Sequence, residues 1–491
     1  MKSGAFLCCL LVATTMVAQG AKVQAVAQFE GIDASNDPVA GYTVDPNGAV
    51  GTVQYMEWVD QAYQAYDKET GIPVYSTPQR ATTPWVDNNM PDCTSGGGNG
   101  IILFDHLASR WIIGIREGGP DYFYCVAIST TDDLSKPDAG WFTYELALNP
   151  ILNLHGINYY PDYPKIATWP DAYYVTMDLE NTGKGYQENG IVACAFDRAN
   201  MLNGATMRAP QCFSNSSTSG WYLAHSLLPA DIDGTTPPTA GTPEEFVSIQ
   251  NPTGGATTST ALNLWQFHVD WNTPTNSTFT GPNQITVASY QPACYTVKNY
   301  TDTYCIPEPS TVQTKNRIDS LGDRLMHRFA FRQFPTYQSF LVTHAIQMAP
   351  TGLQTGVRWY ELEPSAGVFS VANYGTISPD KSHFRFVPSA AQDQVGNMAI
   401  GYSVSSSSTH PSIAASYLNL PLATAPKEVT ILAGTADEEN SSHWGGYTSM
   451  TVDPVDDCTF WYVNEYLTTN QTGSSHTWQT RVSHFKLNGC P

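Results

Sequence analysis

SMTVDPVDDCTFWYVNEY, residues 449–466, sets two short strands around a turn. Small and apolar residues fill its first half, and Asp453-Pro454 with Asp456-Asp457 then break the run. An Asp side chain bonds back to its own backbone two residues on, and Pro fixes φ, so the chain reverses there. The second half is rich in aromatic and β-branched residues, the composition of a pleated, half-buried strand. The same two-strand pattern recurs as GIILFDHLASRWIIGI (100–115), PKIATWPDAYYVTMD (164–178) and SAAQDQVGNMAIGYSV (389–404). Looser copies are FVSIQ…NLWQFHVDW (246–271) and HRFAFRQF…QSFLVTHAI (327–346). A shorter one is VQYMEWVDQAYQAYDKETGIPVYS (53–76).

These copies stand roughly 60 to 80 residues apart, beyond the ~40–50 of compact four-stranded propeller blades, so the loops must be long. Third and fourth strands fit between them: YFYCVAIS and GWFTYEL after the copy at 100–115, GVRWYELE and GVFSVANYG after that at 327–346. Helical periodicity is nearly absent beyond the N-terminal segment, with MLNGA (201–205) read as one helical turn. Polar stretches at 86–99, 214–243 and 294–316 read as surface loops. A jelly roll or a pair of sandwiches would show strands at close spacing without this larger period. The expected fold is therefore all-β: a single β-propeller of six to seven four-stranded blades, seven the favoured count, over 51–491 after an N-terminal extension at 26–50.

Residues 1–25 read as an export signal, with Lys2 ahead of the apolar run Ala5–Ala18, too short for a membrane span. The expected mature chain is secreted, with no membrane insertion. Against 23 Lys and Arg stand 44 Asp and Glu, a net charge of −21, which repels phosphate backbones and makes nucleic acid a poor partner. Outside the signal lie Cys93, Cys125, Cys194, Cys212, Cys294, Cys305, Cys458 and Cys490. An even number in an exported chain favours disulfides. Eight cysteines allow 105 pairings, and pairing of sequence neighbours is the simplest because each bridge then staples one local unit.

The densest motif runs His443-Trp444-Gly445-Gly446-Tyr447 and on through Asp453-Pro454 to Cys458-Thr459-Phe460-Trp461-Tyr462. It resembles a segment of secreted bacterial propeller-like proteins of unassigned function, in which the opening reads Arg-Trp-Gly-Asp-Tyr-Ser. The likeness extends to Asp162-Tyr163-Pro164-Lys165 and to Gly401-Tyr402-Ser403. His443 stands at the usual Arg and Gly446 at the usual Asp, so a charged pair of that pattern is missing here. Structurally the motif is a turn and a strand start. Functionally, His443, Trp444 and Tyr447 are candidates to line the mouth of a central channel, with Arg358 and Tyr360 as further ligand-binding candidates.

Asp231 and Asp233, two apart before Gly234, are a candidate Ca²⁺ pair, although an EF-hand needs further ligands and a Glu at loop position 12; a plain Asp-Gly turn is the other reading, and no other cofactor is expected. Ser129-Thr130-Thr131-Asp132…Gly140-Trp141 resembles the structural Asp-box of sialidase-like propellers, with the Gly too far from the Asp. No Gly-x-Ser-x-Gly elbow or His-Glu-x-x-His helix is present. Sialidase-type chemistry resembles another recipe, a Tyr nucleophile with three arginines, for which Arg317, Arg324, Arg328, Arg332 and Tyr360-Glu361 supply ingredients without a linking spacing. The leading expectation is a secreted propeller that binds an extracellular carbohydrate or protein through its channel mouth and loops. The alternatives are an extracellular glycoside hydrolase or lyase and a structural cell-surface component.

Overall fold

The computed structural model describes residues 26–491 apart from 40–43, 97, 119–121, 155–156, 183–186, 217–225, 251, 253–257, 296–303, 311–316, 350–352, 420–425, 440–441 and 472–475. The expected signal at 1–25 lies outside the described residues. Nearly all the regular structure is antiparallel sheet, and its strands fall mainly into meander units of four, with a short fifth strand, Asn153–Leu154, in the third and a separate pair, Tyr304–Ile306 with Ile318–Asp319. The innermost strands are Asn47–Val50, Ile101–Asp105, Ile157–Thr168, Leu228–Asp233, Met326–Gln333, Phe384–Gln392 and Ser449–Val452. Each packs against the next, and Ser449–Val452 packs back against Asn47–Val50, so the units close a ring. The chain is a β-propeller.

Two joints depart from simple repetition. The fourth and fifth units fuse into one eight-stranded sheet, because Leu228–Asp233 and Met326–Gln333 pair in parallel, with Asp231 opposite Ala330 and Asp233 opposite Arg332. The last unit holds only three C-terminal strands, and its outermost position is filled by Ala27–Asp33, antiparallel to Trp478–Lys486. The expected N-terminal extension at 26–50 is thus part of the ring at both its ends: residues 27–33 close it and residues 47–50 line its axis. Nothing in AQFEGID marks it as a strand, since most of its side chains are only partly buried.

The copy at 246–271 is also corrected. FVSIQ and NLWQFHVDW belong to the second and third strands of the fourth unit, Glu244–Ile249 and Ser259–His268. Its innermost strand is LPADID, within the expected surface loop at 214–243. Here Leu228, Ala230 and Ile232 enter the core while Asp231 and Asp233 turn to the axis, an alternation that reads locally as an acidic turn. The expected helical turn sits slightly earlier, at Arg198–Met201, capped by Asp197.

Aromatic rings fill the spaces between units, as burial of large apolar area requires. Tyr55 of the first unit stacks on Trp461 of the last at 5.3 Å, and Trp169 of the third meets Phe331 of the fifth edge-on at 4.9 Å. Gly401 is required by one such contact, since a Cβ there would lie 2.3 Å from the Tyr462 ring. The disulfides join sequence neighbours as expected: Cys93–Cys125, Cys194–Cys212, Cys294–Cys305 and Cys458–Cys490. Among the described residues no helix is long and apolar enough to cross a membrane.

Candidate functional site

The starts of the innermost strands share an unusual backbone. Asp45, Asn99 and Ser226, each two residues ahead of such a strand, have φ of 44°, 52° and 48°. Tyr163 (49°) and Val387 (48°) do the same where the pairing of their strands shifts register. Left-handed backbone is uncommon outside glycine, and strained for a β-branched residue such as Val387. Its recurrence on one face of the ring turns side chains from several units toward the axis.

There they meet. The Asp45 carboxylate accepts the Gly446 amide, joining the first unit to the last. Tyr163 donates its hydroxyl to the Gly446 carbonyl at 2.6 Å, and Tyr447 donates back to the Pro164 carbonyl at 3.1 Å. Their rings lie 4.9 Å apart and enclose the Lys165 ammonium, 3.0 Å from the Tyr163 centroid and 4.2 Å from that of Tyr447. Lys165 also donates to the Tyr163 and Pro164 carbonyls at 3.3 Å. Arg324 covers the Tyr163 ring at 4.8 Å, and His327 meets Tyr447 edge-on. Beneath, Asp178 accepts the Ser226 amide and hydroxyl.

Burial sets the charges of this layer. It pushes the Lys165 ammonium well below its ordinary range, opposed by nearby Asp178. Burial likewise raises the Asp45 carboxyl, against the Gly446 amide that favours its ionised form. His327 is held neutral by burial first and by Lys165 second. Above the buried layer lies a more open rim. Asp162, with a side chain 32 % exposed, accepts Asn99 Nδ2 at 2.6 Å and faces Arg116 at 4.0 Å. Arg116 in turn covers the Tyr160 ring at 4.6 Å, and Tyr122 stands edge-on to Tyr160 at 5.5 Å. A carboxylate, an amide and two phenol rings, all half-buried, thus stand together over the buried Arg116 guanidinium.

The expected site residues scatter around this frame. Tyr447 stands at the axis, and exposed His443 is near enough for its charge to act on Asp45. Trp444 is a packing residue: it is 4 % exposed, and its indole N–H donates to Ser403 Oγ at 3.0 Å. Arg358 and Tyr360 lie on the third strand of the fifth unit, Thr355–Ser365, away from the axis. Asp231 and Asp233, the candidate Ca²⁺ pair, hold a side chain between them. The Arg328 guanidinium fills the space between them, with Nε 2.9 Å from Asp231 and Nη2 2.7 Å from Asp233. One guanidinium charge thus already stands between the two carboxylates.

The arginine cluster does not converge on one substrate group either. Arg324 lies at the mouth, Arg328 below it, and Arg332 at the far end of the same strand, bidentate to Asp457 at 2.7 and 2.8 Å. The Asp-box-like segment is structural, because Asp132 and Asp133 accept Thr52 and Gln54 of the first unit. Sequence reasoning missed Asp45, Asn99 and Arg116. The available signal was the pair Asp45-Pro46 and Asn99-Gly100, turn dipeptides directly before small or apolar runs.

No family model matches the chain, and no curated protein matches it. Several solved structures are similar at low identity. One is a thermostable family-43 glycoside hydrolase, at 10 % identity over 80 % of this chain and 92 % of that one, with a TM-score of 0.31. Another is a subtype N10 neuraminidase-like protein of A/little yellow-shouldered bat/Guatemala/060/2010, at 9 % identity, 78 % and 96 % coverage and a TM-score of 0.36. A third is a protein of unknown function from Dyadobacter fermentans DSM 18053, at 8 % identity, 94 % and 99 % coverage and 0.34. Likenesses this shallow do not speak to activity.

Proposed function

We propose that this is a secreted propeller that binds an extracellular carbohydrate at its axial mouth. The observation that carries the reading is the half-buried group of Asn99, Asp162, Tyr122 and Tyr160, drawn from the second and third units and backed by buried Arg116. Sugar rings offer hydroxyls that both donate and accept, and apolar faces that lie on aromatic rings. Asp162 supplies acceptors, Asn99 supplies donors, and the two tyrosines supply the faces, with the Arg116 charge behind them. The rim is held by buried partners beneath it, so binding need not order it first.

A second reading, hydrolysis, is favoured by one feature. Asp45, whose carboxyl is raised by burial, lies close enough to Asp162 for the two groups to interact. Two carboxyl groups in unlike surroundings are what glycosidic cleavage uses, one as acid and one as base or nucleophile.

A glycan-array screen of the secreted protein, followed for both binding and release of reducing ends, tests both readings. Saturable binding that Asp162→Asn weakens about tenfold, through loss of a charged hydrogen-bond acceptor, is expected. Binding indifferent to Asp162→Asn would remove the mouth as the site. Release of reducing ends that Asp45→Asn abolishes would establish the hydrolase.

A further inference from the structure

A second cleft lies on the same face, outboard of the axis, where the fourth and fifth units meet. Its walls are the residue before the third strand of the fourth unit (Thr258), the end of that unit's fourth strand (Ser289, Tyr290), the end of the fifth unit's second strand (Gln347, Met348) and Arg358. It encloses about 230 Å³. The Gln347 amide donates to the Gln291 carbonyl at 2.9 Å, which locks the linker between units against the sheet and fixes the floor.

Arg358 is the unusual member. In a chain of net charge −21, its guanidinium is half-buried, yet among the described residues no carboxylate pairs with it. Nε donates to Thr376 Oγ1 at 2.6 Å, while Nη1 is buried without a hydrogen-bond partner. The surroundings are neutral: Tyr360 and Tyr374 flank it at 5.9 and 5.6 Å. His344, behind Tyr290 and Tyr360, is uncharged because burial and Arg358 push it down to about 3. A buried donor left unmade is costly, and more so on a charged group. On the neighbouring strand of the same sheet, Gln347 Oε1 is a buried acceptor with no donor. The guanidinium therefore lacks an anion and the amide oxygen lacks an O–H.

We propose that this cleft binds a sugar acid, its carboxylate on the Arg358 guanidinium and a ring hydroxyl donating to Gln347 Oε1. A single guanidinium matches a monoanion, and its planar fork suits a carboxylate. Met348 and Tyr290 provide the apolar contact that a ring face needs. The site is independent of the axial mouth and stands whether or not the mouth binds sugar.

Isothermal titration of the disulfide-bonded mature protein with glucuronate tests this, with glucose and acetate as controls carrying only the hydroxyls or only the carboxylate. Saturable binding of glucuronate is expected, with both controls at least about tenfold weaker, since each forfeits one set of hydrogen bonds. Arg358→Gln should abolish it, whereas Asp162→Asn at the mouth should leave it unchanged. Should Arg358→Gln fail to fold, Met348→Trp blocks the cleft while keeping the guanidinium and should abolish binding equally. Absence of saturable binding, equal binding of glucose, or binding lost with Asp162→Asn but kept with Met348→Trp would overturn the proposal.

Discussion

Arg328 shows how much one side chain can organise here. It is 3 % exposed, on the innermost strand of the fifth unit. Its guanidinium bonds to Asp231 and Asp233 of the fourth unit and to the Met450 carbonyl of the last. Removing one partner of such a group leaves the others buried and uncompensated. Arg328→Met is therefore expected to destabilise by about 3 to 5 kcal/mol, the usual result of breaking a buried pair from one side. Urea unfolding should show a lower midpoint at unchanged slope. In the sequence the aspartates read as a plain Asp-Gly turn or a candidate Ca²⁺ pair, because their spacing is all that a sequence exhibits. Their cation arrives from 95 residues away or more.

At the scale of elements, the N-terminal strand carries the ring closure. Ala27–Asp33 covers the edge of Trp478–Lys486, and its Ile32 amide donates to buried Glu57 at 2.9 Å on the first unit. Phe29 packs 5.0 Å from Tyr66, again across the first and last units. A second tie is Lys68, 2.9 Å from both oxygens of Asp453. So Asp453, read in the sequence as a turn residue, does bond back to the Val455 amide at 2.9 Å and also joins two units. Deleting residues 26–36 should lower the melting temperature by about 5 °C or more and promote aggregation, because an unpaired edge recruits other strands. Differential scanning fluorimetry with light scattering reads both effects. An unchanged melting temperature would mean that the remaining ties suffice.

Over the whole molecule, buried carboxyl groups set the response to pH. Burial pushes Glu57 up to about 7 and Glu245 up to about 8. Each keeps its proton in the folded chain and loses it near its ordinary value of 4.5 when unfolded. Between those values the folded state binds more protons, so stability falls as pH rises, by about 1.4 kcal/mol per pH unit per group. His344 acts oppositely. Held down to about 3, it stays neutral when folded but takes a proton below 6.5 when unfolded, and stability falls as the solution is acidified from there. The two trends together place maximal stability on the mildly acidic side. Glu245→Gln should flatten the decline from about pH 5 to about pH 8, as thermal unfolding across that range would show.

The sequence by itself determined the strand-rich class, the recurrence of two-strand units and the turn role of Asp453, because each depends on residues close together in the chain; it offered neighbour pairing of the cysteines only as the simplest of many choices. HisTrpGlyGlyTyr at 443–447 was legible as a place of interest, and Tyr447 does stand at the axis. Only the tertiary structure decided that Ala27–Asp33 closes the ring, that LPADID lines the axis, and that Asp45 shares a site with Asp162, Lys165 and Tyr447. This propeller gathers its axial residues from strands that start 54 to 98 positions apart, one or two from each. No local window contains such a set, and a single sequence bears no mark of which Asp or Tyr of each unit turns inward. Closing the ring puts them in contact.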